Sequence, residues 1–192
     1  MFCLIIGIYN MDTRFWGPDG WRLFHLIAVT YPHNPTVRDR QLYKNFFGSI
    51  EYILPCIYCR QSFHQYINEL PIDSYLDSPV SLSYWLYLMH NKVNNKLYNQ
   101  GLYVDLNDNF KEVHKKYTAL LKEINSAKCY NPLPGWDILY CILFNYPSDD
   151  TPIEEIRYRH YIVFFQTLAK IVPLKYFAEV LTGYLKTHPI EK

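Results

Sequence analysis

Apolar side chains recur along this chain at spacings of three and four residues, and every strong periodicity is helical. Gly17, Pro18, Asp19 and Gly20 read as a turn; Trp21, Leu23, Phe24, Ile27 and Ala28 then share a helical face that Pro32 and Pro35 end. Val37 to Leu54 predicts a second helix, with Leu42, Phe46, Phe47, Ile50 and Ile53 inward, and Pro55 interrupts it. A proline there favours a fresh helical start, which puts Cys56 and Cys59 in the first turn of a third helix that Pro71 ends. Ser78-Pro79 opens a fourth, carried by Leu82, Trp85, Leu86, Met89, Val93 and Leu97. Phe110 to Ile124 predicts a charged amphipathic helix, whose lysine run 111–116 reads as a solvated face. The fold class expected is all-α.

The pattern then repeats. Gly135-Trp136 through Tyr146-Pro147 matches Gly20-Trp21 through Tyr31-Pro32 at one constant offset. Phe164-Phe165 and Pro173 match Phe46-Phe47 and Pro55 at an offset three residues longer. Thr151-Pro152 and Glu154 carry the cap signature of the helix between. A degenerate duplication is expected, with a first domain over 12–106 and a second helical domain over 107–192. Where the first copy has His25, Cys56 and Cys59, the second has Tyr140, Leu174 and Phe177, so it keeps the framework and loses the chemistry. A full copy would place the equivalent of Trp85–Leu97 beyond Lys192.

Composition removes several function classes. With 19 basic and 18 acidic residues the net charge is +1, and no basic stripe is visible, which argues against nucleic acid. The apolar run Phe2 to Ile8 is far short of the roughly 20 residues a bilayer span needs, and a soluble protein is expected. Five cysteines, Cys3, Cys56, Cys59, Cys129 and Cys141, with one tight pair, do not form a secreted disulfide framework.

The CxxC of Cys56 and Cys59 is the candidate chemistry. Helix-start N–H groups, Arg60 and His64 would favour a thiolate there. A structural zinc site needs two further ligands, and the scattered histidines offer no second pair, so no metal is expected. A thioredoxin-like site needs a βαβ context, and inert core cysteines are the remaining bland reading. His25 lies on the face of Trp21, where an ordinary buried imidazole is the competing explanation. His90, Asn91, Asn94 and Asn95 crowd two turns of a helix, which is costly unless a polar ligand partners them or the helix end frays.

Taken together, Trp16-Gly17, Trp21, His25, Tyr31-Pro32, Pro55-Cys56, Cys59, Trp85, His90-Asn91, Val93, Asn94 and Leu97 resemble the Erv/ALR family of FAD-dependent sulfhydryl oxidases. The likeness covers about Phe15 to Tyr103 and is greatest to forms encoded by large cytoplasmic DNA viruses. It implies a four- or five-helix bundle holding FAD, usually as a homodimer, with host cytoplasm, viral factory or virion as location. It also implies that Cys59 adjoins the flavin and that Cys56 is the outer, interchange cysteine. Trp21, His25, His90, Asn91, Asn94 and Lys96 would contact FAD, with Trp16, Gly17, Tyr31, Phe63, Val93 and Tyr98 lining the same pocket. The implied partners are a protein dithiol or thioredoxin-like carrier, and O2 as the acceptor that becomes H2O2.

Three departures stand out. Tyr87 and Val104 occupy positions where many members carry a stapling disulfide, and packing of the second copy or a dimer is expected to compensate. Pro18 replaces a basic residue. No other CxxC or CxC exists to serve as a shuttle pair; Cys129 and Cys141 could form one, and a structural or reduced state fits them better. The competing function is a non-enzymatic helical interaction module with a structural CxxC.

Overall fold

Asp12 starts the first helix: its carboxylate accepts the Arg14 backbone N–H at 2.9 Å, and α1 runs Thr13–Val29. The computed structural model describes residues 12–102, 109–126, 134–147 and 151–190. Gly17 to Gly20 are therefore helical, not a turn. The reason is the upstream cap together with tertiary packing. A Cβ on Gly20 would lie 2.7 Å from Ile138 Cδ1, so the glycine admits a neighbouring helix.

Thr36 and Asp39 form a reciprocal capping box that opens α2 (Val37–Ile53). Leu54 leaves the helix at φ −52°, ψ 137°, Pro55 blocks continuation, and Cys56 caps a new helix, α3 (Ile57–Glu69). A 3-10 turn over Ile72–Tyr75 leads to α4 (Pro79–Asn99), with Ser78 as cap and Pro79 at its first position. Then follow α5 (Phe110–Ser126), α6 (Trp136–Phe144), α7 (Pro152–Ile171) and α8 (Lys175–Thr187). No strand occurs among the described residues, and no described helix is long and apolar enough to cross a membrane.

One hydrophobic core runs from Trp16 to Val172, taking in Phe46, Phe47, Trp85, Ile142 and Phe164, all fully buried apart from Trp16 and Val172 at 6% exposed. The expected division after residue 106 thus does not separate two cores. α5, assigned by sequence to the second segment, packs on α1 and α4 instead. Its N-terminus is held by rings: Phe110 meets Tyr84 at 5.0 Å and Tyr87 at 5.7 Å. Tyr87, one of the two positions of the absent staple, is thus in ring contact with α5; Val104 lies outside the described residues.

Candidate active site

The dithiol sits where a chain break meets a helix start. Cys56 Sγ accepts the backbone N–H of Cys59 at 3.3 Å, so the N-cap of α3 is itself a redox-capable sulfur. Ile57 and Tyr58 between the two cysteines are 53% and 72% exposed, which leaves the α3 start open to solvent. Arg60 anchors the preceding turn by donating to the Leu54 carbonyl at 2.7 Å. Burial pushes the Cys59 thiol well up, and the neighbouring Cys56 sulfur adds to this, while Lys96 and Arg60 pull it down. Cys56 lies outside the cavity described next, whereas Cys59 lines it.

That cavity, of about 830 Å3, is walled by α1, α3, α4 and α5, with Ile50 of α2 and Ile138 of α6 also lining it. From α1 come Trp16, Gly17, Trp21 and His25; from α3 come Cys59, Ser62 and Phe63; from α4 come His90, Asn91, Val93, Asn94 and Lys96. Trp21 stacks on His90 at 4.0 Å and 12°, and His25 stacks on Tyr117 at 4.4 Å and 10°. The two stacks are joined by His25 Nε2 and His90 Nδ1, 3.2 Å apart. One of these nitrogens must donate and the other accept, so the two imidazoles cannot both be protonated. Trp16 Nε1 is buried with no hydrogen-bond partner. A buried indole N–H normally finds one, which makes it a donor waiting for an acceptor in the cavity.

Electrostatics hold both imidazoles neutral. Burial, then Lys116, takes His90 down to about 4; burial, then His90, then Lys116 take His25 well below the ordinary 6.5. Unfolding returns both to 6.5, so below that pH the unfolded chain binds protons that the folded chain refuses. Stability therefore falls as pH drops from 6.5 towards 4, by about 1.4 kcal/mol per pH unit from His90, and His25 acts in the same direction. Thermal unfolding across this range measures it. His90→Gln removes one of the two groups and should make the slope shallower; an unchanged slope contradicts the account.

Of the residues proposed from sequence, Tyr31 and Tyr98 do not line the cavity. The Tyr31 ring is 2% exposed, packs edge-on to Tyr43, and donates its hydroxyl to the Leu76 carbonyl at 2.9 Å. Tyr98 is 61% exposed. Cys141 is fully buried, so no substrate thiol reaches it, and burial, then Asp137, pushes its thiol up to about 11; Cys129 and Cys3 lie outside the described residues. Sequence reasoning missed Arg14, Arg22, Lys116, Tyr117 and Val113, all of which line the cavity. The signal for the last three was the apolar spacing Val113, Tyr117, Leu120 beneath the lysines of α5.

A half-exposed CxxC at a helix start, with its second cysteine in the wall of an aromatic, amide- and cation-lined cavity of a helical bundle, defines the Erv1/Alr class. The Erv1/Alr family model matches residues 18–117, more than half of the chain, and the chain belongs to that family.

Among its relatives is a probable FAD-linked sulfhydryl oxidase, R368, of Acanthamoeba polyphaga mimivirus, 40% identical over 85 residues, or 44% of this chain and 59% of the relative. A putative FAD-linked sulfhydryl oxidase of Invertebrate iridescent virus 3 is 32% identical over 88 residues, 46% of this chain and 60% of the relative. The mitochondrial FAD-linked sulfhydryl oxidase ERV1 of Saccharomyces cerevisiae is 35% identical over 86 residues, 45% of this chain and 44% of the relative. The chain thus spans less than two thirds of the length of each of these relatives.

Proposed function

We propose that this protein is an FAD-dependent thiol oxidase that makes disulfides in dithiol substrates through the Cys56–Cys59 pair. The observation that carries the reading is Cys59 in the wall of the stacked-ring cavity, with Cys56 behind it at the exposed start of α3. The residues present fit FAD. Trp16 Nε1 offers a buried unused donor, the Trp21–His90 and His25–Tyr117 stacks offer flat faces, and Asn91 and Asn94 offer amides. Arg14, Arg22, Lys96 and Lys116 supply positive charge for a diphosphate, which answers the absence of a basic residue at Pro18. Bound there, FAD would supply a two-electron acceptor for the dithiol and hand the electrons on to O2, giving H2O2.

The chain's own residues account for the thiol chemistry. A substrate thiolate attacks Cys56 Sγ of the oxidised pair, the Cys56–Cys59 bond breaks, and Cys59 leaves as thiolate facing the cavity. Lys96, which donates to Ser62 Oγ at 2.6 Å, and Arg60 supply positive charge that offsets part of the burial holding the Cys59 thiol up. A second substrate thiol, as thiolate, then displaces Cys56 from the mixed disulfide, so two electrons pass from substrate to the pair and the substrate leaves as disulfide. The neutral His25–His90 pair donates and accepts hydrogen bonds without adding charge. A protein dithiol or a thioredoxin-like carrier fits the open approach past Ile57 and Tyr58.

A structural CxxC in a scaffold would leave the cavity and its unpaired indole donor without a role. The test is oxygen uptake by the FAD-loaded protein with dithiothreitol: the proposal requires one H2O2 per dithiol oxidised, and folded, FAD-loaded protein that consumes no oxygen would overturn it.

A further inference from the structure

We propose that α6–α8 form a redox-silent second copy of the first half, folded onto it about an internal pseudo-twofold axis, so that the chain is a monomer with one redox site.

The two halves share local geometry down to their breaks. α3 and α8 each have 13 residues, and each follows a proline, Pro55 or Pro173. The residues before those prolines leave their helices alike, Leu54 at φ −52°, ψ 137° and Val172 at φ −61°, ψ 135°. The helices end alike too, Leu70 at φ −132°, ψ 74° and His188 at φ −132°, ψ 76°, each followed by Pro-Ile. Inside each half the same tyrosine pair packs edge to face, Tyr31–Tyr43 at 4.6 Å and Tyr146–Tyr161 at 5.3 Å.

The contacts between the halves are reciprocal, which is the mark of a twofold interface: residue i meets j′ and j meets i′. Phe46 stacks on Phe164, its own counterpart, at 5.1 Å. Gly20 lies against Ile138, and Gly135, the counterpart of Gly20, lies against Leu23, the counterpart of Ile138. A Cβ on Gly135 would come within 2.8 Å of Leu23 Cβ, and its φ of +118° independently requires glycine. Arg157 then ties the halves by donating to the Tyr52 carbonyl at 3.1 Å and the Asn145 carbonyl at 2.9 Å.

The second copy has closed the place where its site would be. Phe177, at the position of Cys59, packs edge-on to Trp136, at the position of Trp21, with centroids 5.5 Å apart. Tyr140, at the position of His25, is 52% exposed where His25 is buried beneath Tyr117. Since Phe46 and Ile50 are fully buried with the second copy in place, the α1–α2 face is not available to another chain. The homodimer implied by resemblance is replaced by an intramolecular mate.

The test takes the full-length, FAD-loaded protein and measures mass by sedimentation and unfolding by calorimetry, neither of which depends on thiol oxidase activity. Expected are a single species of about 23 kDa over about a hundredfold range of concentration and one cooperative unfolding transition whose midpoint falls in Phe164→Ala. A species of twice that mass, or two separable transitions, would overturn the proposal. Failure of the oxidase reading would show instead as a monomer that consumes no oxygen.

Discussion

Replacing Cys59 with serine leaves FAD in its cavity and stops its reduction by dithiols. Cys59 is the cysteine in the cavity wall, and Cys56 is outside it, so the change removes the sulfur that faces the cofactor while sparing Trp21, His25 and His90. Turnover with dithiothreitol should fall by more than about 10^3-fold, the scale seen when one member of a catalytic unit is lost. Cys56→Ser should also stop disulfide formation in protein dithiols, because no Cys56–Cys59 disulfide then exists for substrate to attack. The measurements are the flavin absorbance of the purified variant and its rate of anaerobic bleaching. A Cys59→Ser protein that keeps wild-type oxidase activity contradicts the assignment.

Arg157→Ala should be the most damaging substitution away from the dithiol. The side chain is 10% exposed and Glu154, bonded to it at 2.6 Å, is 19% exposed, so removal strands a nearly buried carboxylate. The same guanidinium holds the Tyr52 and Asn145 carbonyls, one in each half. Breaking such a pair costs about 3 kcal/mol, a large share of a total of roughly 5–15 kcal/mol. For a chain of this size that lowers the melting temperature by about 6–12 °C. Arg159, paired with Glu155 at 73% and 37% exposure, is the control, and its alanine variant should cost no more than about 0.5 kcal/mol. Equal melting temperatures for the two variants would contradict the role given to Arg157.

Much of this was legible in the residues, and the failures share a physical cause. The helical periods of α2 and α4, the break at Pro55, and the CxxC at a helix start all rest on local chemistry, and the structure has them. Gly17 to Gly20 read as a turn because glycine and proline are local punctuation, yet Asp12 caps the helix upstream and Gly20 is small for the sake of Ile138, over a hundred residues away. α5 read as a solvated face because its lysines dominate the run, while Val113 and Tyr117 turn into the cavity on the opposite stripe. Tyr31 lies just past the helix that carries Trp21 and His25, but its hydroxyl finds the Leu76 carbonyl, a partner no periodicity could reveal. The proposed repeat was visible as matched Trp, Phe and Pro positions; that matched residues would meet each other, as Phe46 meets Phe164, was not.

The most direct measurement of the central claim is an anaerobic visible spectrum of the purified protein before and after dithiothreitol, followed by admission of air. The account predicts an oxidised flavin spectrum that bleaches with dithiol and returns with air as H2O2 appears. A bound flavin that stays oxidised in the presence of dithiol would contradict it, because Cys59 would then face a cofactor it does not reduce.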